Sequence, residues 1–328
     1  MRTIFFILLT LCSTLSLAGK KSFKCYEFEH FNYVSIDNSN IEEFPDYQCD
    51  DAKRFDDLLG EVRSVSPINL YGVNLFLSKR KPKKGKNDIE FNHVNMGFDK
   101  NRPEVNKHVD AIFIHEVGHS IFHQYLLKEI SYFSSLYDLD RKKDSLFNTL
   151  LERNSLLSDT GKCESPECLK WNTKNSNIFS EIRKTKLEME DWYKNNKKKE
   201  FILTRLAAPY HELFADIVAA AVLNDPEATS NALYELLKVA ISCRSMKYSS
   251  ECLNDTQGDH CLYSGVREAI WNSLISPALS NGDVKNAIEA VLLIIKGEIE
   301  NELDNALEND DWIYNPDLYF RSFRSKIH

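Results

Sequence analysis

No stretch of the 328-residue chain reads as the roughly 20 consecutive apolar residues that a bilayer span requires, so no transmembrane span is expected. Positive charge is not in excess: 41 Lys and Arg stand against 49 Asp and Glu, a formal net charge of −8. A nucleic-acid binder ordinarily carries a basic surface, so nucleic acid is not an expected partner. The one strong basic cluster, Lys79 to Lys86 (KRKPKKGK), reads either as a solvated loop or as an anion or membrane-surface contact. The cysteines lack the close Cys-x-x-Cys pairs of a structural zinc cluster. There is no internal repeat and no cell-wall-binding repeat. What remains is an ordinary globular balance, 43% hydrophobic and 27% charged.

The N-terminus carries a targeting pattern. Arg2 is a short positive region, Ile4 to Leu11 is apolar, and Ser16 and Ala18 are small residues suited to cleavage before Gly19. Residues 1–18 are therefore expected to be a signal peptide, and the mature protein to be periplasmic or secreted. A lipid anchor at Cys12 is the alternative, although Leu11 sits where a small residue is wanted. Of the eight cysteines, Cys12 falls in the leader. In an oxidising compartment the others tend to pair. Cys163 with Cys168, Cys25 with Cys49, and two of Cys243, Cys252 and Cys261 are the expected disulfides, with one thiol left over.

The pattern along the chain predicts an α+β fold: a small N-terminal sheet followed by a predominantly helical domain over 61–328. Residues 19–60 form an N-terminal segment ahead of it, with helical spacing from 50 to 65. Ile68 to Leu77 and Ile89 to Phe98 have strand composition and read as a hairpin with a long charged connection. From Pro103 the pattern turns helical, with Asn101 as a candidate cap. A charged insertion over 134–200 reads as two exposed helices, 138–157 and 176–196, joined by a loop holding Cys163 and Cys168. Leu206 to Leu223 is an alanine-rich helix ended by Asp225-Pro226. Helices are expected at 227–242, 264–275 and 283–308, with a cysteine-containing loop over 243–262.

Two segments carry chemistry. In HEVGH, His115 and His119 are four residues apart, which places both imidazoles on one helix face where two ring nitrogens can meet one ion. Glu116 lies beside that face, within reach of a water at the metal. Its neighbours Phe113, Ile114, Val117, Ser120 and Ile121 are uncharged, which predicts a buried helix. Gly118 costs about 1 kcal/mol of helix propensity relative to Ala, which is explained if another backbone or a substrate passes close by. A catalytic zinc ion takes three protein ligands and keeps one open position. The second segment, HELFAD, offers the third: Glu212 and Asp216 are four apart on an apolar predicted helix. Buried carboxylates are costly unless paired or metal-bound. Glu212 is therefore the expected ligand, and Asp216 the acceptor that fixes the tautomer of His115.

HEVGH followed far downstream by Glu-x-x-x-Asp resembles the gluzincin group of metallopeptidases, which includes thermolysin-like enzymes. The resemblance covers the two motifs, not the whole chain. It implies a zincin-like domain, one catalytic zinc ion on His115, His119 and Glu212, Glu116 as base and proton shuttle, and Asp216 behind His115. It also implies a protein or peptide substrate, held as an extended chain along a sheet edge near Ile89 to Phe98.

Other residues compete for roles. His123 is eight residues beyond His115, about 12 Å along the axis, too far for one straight helix to bring both to one ion. It reads as a core histidine or one behind the ligands. His211 adjoins Glu212 but faces elsewhere. His108 is exposed or supports the site from behind. Tyr210, His260 and Arg267 are candidates for contacting substrate or a developing oxyanion, against the alternative of capping, surface or ion-pair roles. The expected activity is zinc-dependent peptide hydrolysis. A catalytically inactive metallopeptidase-like binding protein and a zinc amidase for cell-wall amides are the alternatives.

Overall fold

The computed structural model describes residues 28–37, 45–78, 86–88, 93–97, 106–155, 166–237, 244–247, 263–313 and 325–326. The leader, the loop 79–85, Asn101, Pro103, His260, Cys25, Cys163, Cys243, Cys252 and Cys261 lie outside these residues. For Cys49 and Cys168 the description extends to the helical backbone alone. The expected disulfides therefore fall outside what is described.

Four short strands form one sheet: β1 (Tyr33–Asp37), β2 (Asn74–Ser78), β3 (Lys86–Asp88) and β4 (His93–Gly97), in the order β1-β2-β4-β3. β1 and β4 both run parallel to β2, with Leu75 paired to Val94 and Leu77 to Met96. This corrects the expected hairpin. Apolar alternation fixes which face of a strand is buried but says nothing of strand direction. Leu75, Leu77, Val94 and Met96 are all buried and would suit either orientation. The connection between β2 and β4 is long enough to return the chain for a parallel start. β3 lies within that connection and pairs antiparallel to β4, so the sheet edge on that side is β3 and not β4.

Helix α1 (Pro45–Val65) runs unbroken through residue 60 and buries Phe55, Leu59 and Val62 in the same core as the sheet. The buried carboxylate of Asp56 accepts the backbone N–H groups of Glu29, His30 and Phe31 at 3.0, 2.9 and 3.0 Å, tying the approach to β1 onto α1. The central element is α2 (Asn106–Glu129). Phe113, Ile114, Val117, Phe122 and Leu126 are fully buried along it.

A short 3-10 turn, Ser131–Phe133, leads into α3 (Ser134–Ser155), which packs on α4 (Pro166–Asn195). These are the two helices of the charged insertion, and they are less exposed than their composition predicts. Leu150, Trp171 and Ile182 form a small core between them, and α3 buries Lys143, Asp140 and Asp144. Cys168 lies inside α4 and not in the preceding loop.

Next comes a long helical stretch, Lys197–Leu223, which by length and composition alone could cross a membrane, yet is mostly buried inside the protein. It comprises α5 (Lys197–Phe201), a wider turn over Ile202–Leu206, and α6 (Ala208–Leu223). Pro209 explains the wider turn: lacking an N–H, it cannot continue a regular helical ladder from the preceding turn. Asn224 closes α6 in the left-handed conformation, at φ 49°. Then follow α7 (Ala228–Leu237), α8 (Ser264–Ile270), a second wider turn over Trp271–Ile275, α9 (Ser276–Asn281) and α10 (Val284–Glu308). In α10, Ile288, Val291, Leu292, Ile295, Ile299 and Leu303 face the core at helical spacing. The described chain is thus mostly helical with one small sheet, an α+β architecture.

Candidate metal centre

The two helices that carry the motifs, α2 and α6, pack against one another more closely than large side chains allow. A Cβ on Gly118 would lie 2.8 Å from Ala215 Cα and 3.2 Å from its Cβ. The missing side chain at 118 is what lets the α6 backbone approach HEVGH. Ala215 lies within HELFAD, so this contact brings Glu212 and Asp216 over the histidines.

Three donors converge. His119 Nε2 is 3.0 Å from His115 Nε2, His115 Nε2 is 3.4 Å from Glu212 Oε2, and His119 Nε2 is 3.7 Å from Glu212 Oε1. Each residue offers one ligand atom, and all three lie within 4.8 Å of one another, so the group could hold a metal ion. A tetrahedral zinc ion with bonds of ~2.0–2.1 Å separates its ligand atoms by about 3.3 Å. The His115–His119 and His115–Glu212 Oε2 separations lie close to that value. The set of two imidazoles and one carboxylate is also of the kind found in catalytic zinc sites. The residues present are of a kind that could hold such an ion.

Behind the ligands, Asp216 Oδ1 lies 3.1 Å from His115 Nδ1, on the side of the ring away from His119. A carboxylate there holds the proton on Nδ1 and leaves Nε2 to face the donor cluster. Burial opposes the charge of Asp216, but Arg244 and Arg267 hold its carboxyl far below the usual range. Burial and Arg244 push against a proton on His115, yet its bonds to Asp216 and Glu212 outweigh them and raise it to about 9. His119 moves the other way, to about 3, through burial and the adjacent His115.

Glu116 sits half-buried on α2 beside the ligands, and its charge adds to the field that keeps Arg244 protonated. His123 and His211 are absent from the donor group. His211 packs edge-on against Phe122 at 4.5 Å, with its ring 5.8 Å from that of His119 and 6.4 Å from that of His123. Burial lowers the pKa of both, so both rings are neutral. His108 is half-buried near the start of α2 and also lies outside the group.

Tyr210 is fully buried, its ring stacked on Tyr263 at 4.6 Å. Arg267 is fully buried as well, donating to Asp216 Oδ2 from Nε at 3.1 Å and from Nη2 at 2.8 Å. The structure thus gives Arg267 an ion-pair role behind the site. His260 lies outside the described residues.

Arg244 is not among the residues that the sequence pattern points to. It follows α7 in the chain and lies in a short segment held by Met246, whose N–H reaches Pro226 O at 2.7 Å. Its guanidinium donates to Asp216 from Nε at 3.1 Å and from Nη2 at 2.6 Å. Nη2 also lies 2.9 Å from Glu212 Oε2 and 3.0 Å from His115 Nε2. No spacing rule points to this residue, but a charge count does. Glu116, Glu212 and Asp216 bring three carboxylates to a buried site, and Arg267 meets only one of them.

The chain matches no protein-family model, no curated protein and no solved structure.

Proposed function

We propose that this chain is an exported zinc-dependent peptidase whose metal is held by His115, His119 and Glu212. The observation that carries the reading is the convergence of those three donors, from two separate helices, at separations suited to one tetrahedral ion. Bound zinc supplies a Lewis acid that acidifies a water and polarises a carbonyl. Asp216 fixes the ring of His115 so that Nε2 faces the cluster. Glu116 accepts the proton of the attacking water and passes it to the departing amine. The buried faces of α2 and α6 keep bulk water away, which strengthens the charge interactions among these groups.

The sheet supports an extended peptide as the substrate. β3 ends the sheet on one side and lies against α2, the helix that carries the metal motif. An extended peptide could add to that edge through main-chain hydrogen bonds. The signal-like N-terminus supports a site of action outside the cytoplasm.

The decisive experiment pairs metal analysis with Glu116→Gln on the purified mature chain, using a peptide library as substrate. The expected result is about one zinc per chain in both proteins, with cleavage lost in the variant by a factor of at least ~100. Equal cleavage by Glu116→Gln and wild type would overturn the mechanism. Zinc retention without cleavage by either protein would favour the binding-protein alternative.

A further inference from the structure

Arg244 touches the same atoms that a metal ion would need. Arg244 Nη2 is 3.0 Å from His115 Nε2, 3.2 Å from His115 Nδ1 and 2.9 Å from Glu212 Oε2. A guanidinium charge this close to two ligand atoms repels a divalent ion bound to the same atoms. These distances resemble the separations among the ligands themselves. The guanidinium therefore caps the donor cluster as a positively charged corner. It cannot be deprotonated under working conditions, so it stays a competitor at every pH.

From these contacts we infer that Arg244 is an exchangeable internal cation: it neutralises Glu212 and Asp216 in the metal-free protein, and zinc must displace its Nη2 arm to bind. The inference rests on the metal-site reading above. The guanidinium grips Asp216 with both Nε, on Oδ2 at 3.1 Å, and Nη2, on Oδ1 at 2.6 Å. Withdrawal of Nη2 from His115 and Glu212 therefore breaks its bond to Asp216 Oδ1 as well, and the Nε bond to Oδ2 is the one that can remain. Arg267 shares Asp216 but has no contact with the three ligands among the described bonds, so it takes no part in the exchange. Arg244 thereby sets the zinc affinity of the site. It weakens binding in return for a metal-free state that leaves no buried carboxylate uncompensated.

The test measures zinc affinity by competition with a chromophoric chelator, on the full mature chain after metal removal. Arg244→Gln is expected to bind zinc at least tenfold more tightly than wild type. Its metal-free form should melt at a lower temperature and recover more on zinc addition. Unchanged or weaker affinity in Arg244→Gln overturns the inference. A second arm needs no variant: a dicarbonyl reagent is applied to wild type with and without zinc, and modified arginines are mapped by mass spectrometry. Zinc is expected to raise the labelling of Arg244 at least threefold, with Arg267 as the internal reference. Equal or lower labelling of Arg244 in the zinc-loaded protein overturns the exchange. If the wild type binds no zinc at all, the metal-site reading fails and this inference with it. If it binds zinc but neither arm gives the expected change, only the exchange fails.

Discussion

Gly118 on α2 and Ala215 on α6 meet so closely that a single added carbon at 118 would lie 2.8 Å from the Ala215 Cα. This contact sets the spacing of the two helices and hence the distance from HEVGH to Glu212. Gly118→Ala would gain about 1 kcal/mol in helix propensity. Against this, the clash is with backbone, which cannot rotate away, and overpacking of that kind costs about 1–3 kcal/mol. The clash is expected to win. The variant should lose up to about 2 kcal/mol in chemical unfolding and bind zinc more weakly as Glu212 moves off the histidines. A more stable variant with unchanged metal affinity would show that the helices separate without cost.

The ligand set makes a sharper separation between neighbouring residues. Glu212→Ala and His115→Ala each remove a donor from the cluster and should abolish stoichiometric zinc binding. His211→Ala and His123→Ala should keep it, although their rings lie close by. Asp216→Asn should lie between, with affinity lowered ~10–100-fold, because it loosens the ring of His115 without removing a donor. Metal content by plasma emission spectrometry decides the matter. Zinc kept by Glu212→Ala but lost by His211→Ala would move the third ligand one residue back.

Much of the centre was legible because its logic is local. The four-residue spacing of His115 and His119, and of Glu212 and Asp216, fixes helix faces without knowledge of the fold. Gly118 was legible as a close approach, although the partner, Ala215, was not. The direction of β4 was hidden, because the pattern of Val94 and Met96 is the same for parallel and antiparallel pairing. Arg244 was hidden for another reason. It reaches Asp216 across 28 residues and His115 across 129, by a tertiary contact that leaves no periodic trace. The burial of α3 was masked by its composition: Lys143, Asp140 and Asp144 read as a solvated face and are instead buried together.

Gln124 links α2 to the loop before β2. Its side-chain oxygen accepts the Tyr71 N–H at 3.1 Å, and its amide nitrogen donates to the Tyr71 carbonyl at the same distance. The side chain thus imitates a strand neighbour for one residue. Gln124→Glu keeps the acceptor and loses the donor, leaving a buried carboxylate facing a carbonyl oxygen. A loss of about 1–3 kcal/mol in urea unfolding is expected. Zinc stoichiometry should stay at one, because Gln124 lies away from the ligand face. A variant as stable as wild type would show that the loop finds other partners.

Asp144 gives the protein a stability that depends on pH. It is buried on α3 with Lys143 and Asp140, and the one ammonium lies nearer Asp140, at 2.8 Å, than Asp144, at 3.7 Å. Burial above all, and the like charge of Asp140, push the carboxyl of Asp144 up to about 8, although Lys143 opposes the shift. The folded chain therefore keeps this proton to about pH 8, while the unfolded chain releases it near 3.8. Between those values the folded state binds more protons, so stability falls as pH rises, by at most about 1.4 kcal/mol per pH unit. Asn at 144 resembles the protonated carboxyl and does not titrate. The advantage of Asp144→Asn over wild type should therefore grow from about pH 5 to about pH 8 and then level off. Unfolding free energies across that range test the point. An advantage that stayed constant with pH would mean that Asp144 is ionised in the folded protein and that Lys143 neutralises it.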